Sequence, residues 1–100
     1  MNKPIYKLFK SKKLNPWYQL SREERGNLIS QLDFAFERAG GKRPILLDTS
    51  WSSDKWYVSG VEIFPNIEAV QDYMVELKKM EWSKYCESRN ILGTEYHPSF

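Results

Sequence analysis

Apolar residues follow two periods along this chain, alternating in some stretches and recurring every three or four positions in others, and the switches between them predict its elements. Residues 4–10 (PIYKLFK) read as a strand that begins on a proline, where a missing N–H does least harm. Residues 11–20 (SKKLNPWYQL) are polar and loop-like, broken at Asn15-Pro16. Ser21-Arg-Glu-Glu24 then has the form of a capping box and opens a helix. Leu28, Leu32, Ala35, Phe36 and Ala39 make one stripe along it, with Phe34 on the far side. Gly40-Gly41 closes the helix. Residues 44–49 (PILLDT) form a short strand and residues 50–55 a turn-rich connection. Residues 56–64 (WYVSGVEIF) form the strongest strand, stopped by Pro65. Asn66 caps a second helix whose buried face is Ile67, Val70, Tyr73, Met74, Leu77 and Met80, leaving Val75 exposed. Residues 82–94 return to extended chain.

The order is β-α-β-β-α-β within a single domain, residues 1–100, of the α+β class. It is the ferredoxin-like plan, a four-stranded antiparallel sheet with two helices on one face. The other face has to meet water or a partner. Alternation in the third strand puts Trp56, Val58, Gly60, Glu62 and Phe64 on one side and Tyr57, Ser59, Val61 and Ile63 on the other. The first strand likewise sends Tyr6 and Leu8 one way and Ile5 and Phe9 the other. Both sides are mainly apolar, unlike a sheet with one solvated face. A homodimer stacked sheet on sheet is the expected remedy.

Composition narrows the classes of function. Of 100 residues, 41% are apolar and 28% charged, too apolar for a disordered chain. A net charge of +2 is too small for binding driven mainly by phosphate charge. Apolar runs are too short to span a membrane, and the opening MNKPIYKLFKSKK has no apolar stretch of signal-peptide length. Cys86 is the only cysteine, which excludes an internal disulfide and points to a reducing, cytoplasmic compartment. Four Trp, six Tyr and five Phe crowd so short a chain. At ~150–250 Å² each, some of these rings should line a cavity or a covered surface.

Candidate chemistry is sparse. His97, the lone histidine, is of a type that serves as general base or haem ligand, yet so near the end of the chain it reads first as an exposed tail residue; no cluster of ligands has metal-site spacing, so no metal or cofactor is expected. Cys86 has no base near it in sequence and reads as packing. Glu62 stands out because it shares a strand face with apolar residues. A carboxylate there is costly to bury unless paired, so it reads either as an acid or base or as half of a salt bridge, to Arg89 or across a dimer interface. Asp48 poses the same question near a strand end. Trp17, Tyr18, Trp51 and Trp56 lie in or beside loops, where pocket walls are commonly found. Lys3, Lys7, Lys10, Lys12 and Lys13 read as the solvated side of an edge strand. RNA-recognition modules share this order of elements, but the third strand lacks their aromatic motif after its basic residue, which argues against nucleic acid.

Trp17, Leu20-Ser-Arg-Glu-Glu-Arg25, Val61-Glu-Ile-Phe-Pro65 running into Ile67-Glu-Ala-Val70, Trp82-Ser-Lys-Tyr85 and Ile91-Leu-Gly-Thr94 together resemble the small dimeric α/β-barrel proteins, closest to their short uncharacterised members. The resemblance implies a ferredoxin-like protomer, a back-to-back dimer and a pocket between helices and sheet. It spans cofactor-independent monooxygenases, polyketide cyclases, haem-degrading enzymes and proteins without known activity, and no catalytic residue transfers from it. The combined expectation is a homodimer that holds a small apolar or aromatic ligand through Tyr6, Trp17, Trp51, Trp56, Tyr57, Tyr85 and Arg89. The alternative is cofactor-independent turnover of an aromatic or polyketide-like substrate, with Glu62 as the acid or base.

Overall fold

A computed structural model describes residues 3–99. Strand β1 (Ile5–Lys13) leads through a short helix α1 (Asn15–Tyr18) into helix α2 (Arg22–Arg38). Strands β2 (Lys42–Asp48) and β3 (Val58–Phe64) follow, then helix α3 (Ile67–Lys79), a 3-10 turn (Trp82–Lys84) and strand β4 (Cys86–Gly93). The sheet order is β2-β3-β1-β4, and each neighbouring pair is antiparallel. With α2 and α3 packed on one face, this is the expected α+β, ferredoxin-like arrangement.

Both long helices start as their sequences dictate. The Ser21 hydroxyl accepts from the Glu24 N–H at 3.1 Å, and Glu24 Oε1 accepts from the Ser21 N–H at 2.8 Å. Asn66 Oδ1 accepts from the Ala69 N–H at 2.8 Å. Gly40 takes the left-handed conformation past the end of α2 with φ 74°. Ser21→Ala is expected to cost ~1 kcal/mol in urea unfolding. The Ser21 backbone N–H, and after it the hydroxyl, lowers the Glu24 pKa. A carboxyl depressed in the folded state stabilises above its unfolded pKa and ceases to as pH falls through the folded one. The urea midpoints of wild type and Glu24→Gln should therefore converge on acidification.

The core gathers at one end of the sandwich. Phe36 of α2, Phe64 of β3 and Tyr73 of α3 form a triangle of rings with centroids 5.5 Å apart on every side. Ala35, Ala69 and Val70 complete it, with Ile5, Leu32, Ala39 and Leu77 packed against it. Phe34 and Val75 are exposed, as their helical positions predict. Ile67 and Met74 are also largely exposed, because Ala69, not they, turns inward beside Val70 and Tyr73.

Three sequence expectations are corrected. First, β1 runs on through Ser11, Lys12 and Lys13, which pair with Ser88, Glu87 and Cys86 of β4. It is a central strand, hydrogen-bonded on both sides, so its lysines do not blunt an edge; they divide between the two faces. Second, β3 begins at Val58, not Trp56. The Thr49 hydroxyl donates to the Trp56 carbonyl at 2.8 Å, holding Trp56 in the connection. The alternation that put Trp56 beside Glu62 therefore fails before it reaches Trp56. Third, the stretch after α3 first makes the 3-10 turn, entered through Glu81 in the left-handed region at φ 55°. No helix among the described residues is long and apolar enough to cross a membrane.

Candidate functional site

Alternation along β1 sends Ile5, Lys7, Phe9, Ser11 and Lys13 toward the helices. Register then decides what faces what. Lys7 lies opposite Glu62, and Phe9 opposite Gly60 on β3. On the β4 side, Phe9 meets Asn90, Ser11 meets Ser88 and Lys13 meets Cys86. Gly60 lets the chains approach closely: a Cβ there would stand 2.6 Å from the Ile45 carbonyl oxygen and 3.1 Å from the Phe9 ring. Toward the Ile5 end the space above these rows is filled by the ring triangle. Toward the Lys13 end it is open, as a cavity of about 820 Å³ between sheet and helices. That volume suits a small organic molecule. Ile29 and Leu32 of α2, Met74 and Leu77 of α3, and Trp82 of the 3-10 turn supply its upper walls.

At the deep end stands an ion cluster. Glu62, 3% exposed, accepts from Arg43 Nη2 at 2.7 Å and Nε at 3.0 Å, both on Oε2, and its Oε1 lies 3.2 Å from Lys7 Nζ. Lys7 is itself 7% exposed. The two cations also lie over aromatic faces, Arg43 at 4.6 Å from the Phe36 ring and Lys7 at 5.4 Å from Tyr73. Burial, and after it the Glu62 charge, raises the Tyr73 pKa, so the ring enters the cavity wall as a neutral phenol. Glu62 thus has a salt bridge, but not the one expected. Arg89 belongs to the opposite face of the sheet, beside Glu87, and both carboxylate oxygens of Glu62 are engaged within its own protomer.

The six aromatics expected to bind a ligand, and Arg89 with them, fall outside this cavity, while Glu62, the expected acid or base, lies in its wall. Tyr6 is on the outer face and donates to Glu95 Oε1 at 2.9 Å. Trp56 lies beside Lys10, Lys55 and Arg89 on that same face. Trp51 projects from the β2–β3 connection, 84% exposed, and Tyr57, just ahead of β3, is exposed too. Tyr85 closes the 3-10 turn, its carbonyl accepting from the Leu14 N–H at 2.9 Å. Trp17 comes nearest, edge-to-face with the lining residue Trp82 at 6.0 Å. His97 is exposed near Glu95, Asp48 is tied to Ser50, and Cys86 is buried in the cavity floor. Among the described residues no group of three or more His, Cys, Asp and Glu could hold a metal ion.

The wall residues that sequence reading missed are Lys7, Lys13, Arg43, Tyr73 and Trp82. For β1 the signal was present: Ile5 and Phe9 assign the inner face, and the same count of two puts Lys7 and Lys13 on it. Arg43 was not legible, because the register of β2 shifts between Lys42 and Ile45 around Pro44.

No protein-family model matches the chain, and no curated protein matches its sequence. Solved structures do match its fold. A point mutant of chlorite dismutase from Candidatus Nitrospira defluvii is similar with TM-score 0.75 and 11% identity, over 98% of this chain and 42% of that one. A protein of unknown function from Rhodopseudomonas palustris has TM-score 0.67 and 19% identity, over 98% and 86%. SnoaB, a cofactor-independent oxygenase from Streptomyces nogalater, has TM-score 0.60 and 14% identity, over 96% of each chain. The chain therefore spans less than half of the chlorite dismutase and nearly all of SnoaB. At these identities the likeness shows the fold.

Proposed function

We propose that this chain is a small-molecule-binding protomer, working as a homodimer, with its ligand held in the cavity between helices and sheet. The observation that carries the reading is the cavity itself. It is about 820 Å³, walled by Phe9, Tyr73 and Trp82, and open beside a packed core. Such a wall favours a flat, largely apolar occupant. Surface area supports a partner. The chain exposes 7376 Å², whereas a monomer of this size typically exposes ~6,000 Å². The radius of gyration is 14.7 Å against a typical ~13 Å. The surplus exceeds the ~800 Å² that each partner contributes to an ordinary interface. The β3 residues on the outer face are Ser59, Val61 and Ile63, aliphatic and polar, which favours a second copy over stacked bases.

Native mass spectrometry of the purified protein is expected to give twice the chain mass, with a small molecule retained. Flat aromatic compounds are expected to quench tryptophan emission. A chain that stays single at high concentration, or that no such compound quenches, would refute the corresponding half of the proposal. One observation favours turnover as a second reading: Glu62 stands in the cavity wall, in a fold shared with a cofactor-independent oxygenase. To act as a base it would have to release Lys7 or Arg43. An aromatic substrate consumed by wild type and untouched by folded Glu62→Gln would support that reading; equal consumption by both would remove Glu62 from it.

A further inference from the structure

We infer that the cavity selects an anionic ligand, an apolar aromatic carboxylate whose charged group sits at the open end against Lys13. The inference rests on the small-molecule reading above and names the class of molecule. It begins with a comparison of the cations that line the space. Lys7 and Arg43 are both taken by Glu62. Lys13 points into the same cavity but makes no ion pair with any described residue. Six residues of strand separate it from Lys7, on the order of 20 Å, which places Glu62 well beyond the ~10 Å screening length. Asp33 and Lys78, on the two helices at the rim, offset one another in charge.

The surroundings of Lys13 are those of a receptor for a charged group. Its Nζ lies 5.1 Å from the centre of the Trp17 ring and 5.5 Å from that of Trp82. The two rings are nearly perpendicular, at 80°, and hold the ammonium without neutralising it. Neighbouring positions on the floor add neutral donors. Ser11 is buried, yet its hydroxyl has no hydrogen bond to a described side chain. Since no sealed polar atom lacks a partner among the described residues, that hydroxyl opens on the cavity. Ser88, opposite Ser11, has only the Cys86 sulfur at 3.7 Å. Asn90 follows beside Phe9. A cation with hydroxyl and amide donors at one end, and Phe9, Leu32, Leu77 and Trp82 along the body, match a molecule with one carboxylate and a flat apolar frame.

Isothermal titration of the whole protein with naphthoate and with its neutral amide tests this directly. Naphthoate is expected to bind about tenfold more tightly than the amide. Lys13→Met should abolish that difference by weakening naphthoate about tenfold more than the amide, and retain wild-type circular dichroism; Lys13→Arg should restore the preference. If Lys13 serves only to pack the two tryptophans, Lys13→Met weakens both compounds alike, and the inference is overturned. Equal binding of both by wild type also overturns it while leaving the small-molecule reading intact. Binding of neither removes both.

Discussion

Glu62→Leu is expected to lower the stability of the fold by about 3–5 kcal/mol in urea unfolding, the largest effect of any single polar substitution here. The reason is the asymmetry of the cluster. Removing Glu62 leaves Lys7 and Arg43 facing each other across the space it occupied, and Lys7 is 7% exposed. Neither cation has another carboxylate within ion-pair distance among the described residues. Removing Lys7 alone is milder, because Arg43 still donates twice to Glu62 Oε2 and is itself partly exposed to water. The order of loss is therefore Glu62→Leu, then Lys7→Met. Replacing all three at once, Lys7→Met, Glu62→Leu and Arg43→Met, should recover most of the stability, since apolar side chains of similar volume cost little where a complete ion cluster stood. A Glu62→Leu midpoint close to that of wild type would mean that water reaches the cluster. The deep wall of the cavity would then be softer than its 2.7 and 3.2 Å contacts imply.

That cluster also shows where sequence reading succeeds and where it stops. The order of elements was legible because each signal was local: a capping box at Ser21, an Asn66 cap, glycines after α2, a proline after β3. The suspicion of Glu62 was legible too, from one carboxylate in an apolar row. Its partners were not, since Lys7 and Arg43 lie 55 and 19 positions away and meet it only through sheet register. The aromatic residues misled for a related reason. Richness in Trp and Tyr announces that rings must be covered but not by what, and the β2–β3 connection and the outer face claim Trp51, Trp56 and Tyr6. Polar strand residues were the costliest omission. Ser-Lys-Lys reads as loop by composition, yet its alternation sets Ser11 and Lys13 in the cavity floor and Lys12 outside.

Leu8→Glu is expected to yield a folded monomer, raising the dissociation constant of the proposed dimer by about 100-fold or more. Ile45, Val61, Leu8 and Ile91 lie directly opposite one another in register and form one apolar row across all four strands of the outer face. Leu8 is 51% exposed and Ile91 70% in the single chain, and Ile63 and Leu47 extend the patch on either side. Charged residues flank the row: at one end Lys12, Lys55 and Arg89 surround Glu87 within 3.8 Å, and at the other Glu95 accepts from Tyr6. A two-fold axis through such a face sets the patch against its own copy, so one substitution inserts two carboxylates into one dry contact. The same carboxylate on a lone chain would meet water, which is why folding should survive by circular dichroism while sedimentation shows half the mass. Ile91→Glu, on the neighbouring strand, should act alike. Because the cavity opens on the other side of the sheet, ligand quenching should persist in these monomers. A Leu8→Glu protein that still sediments as a dimer would place the contact elsewhere and leave the outer face without its proposed occupant.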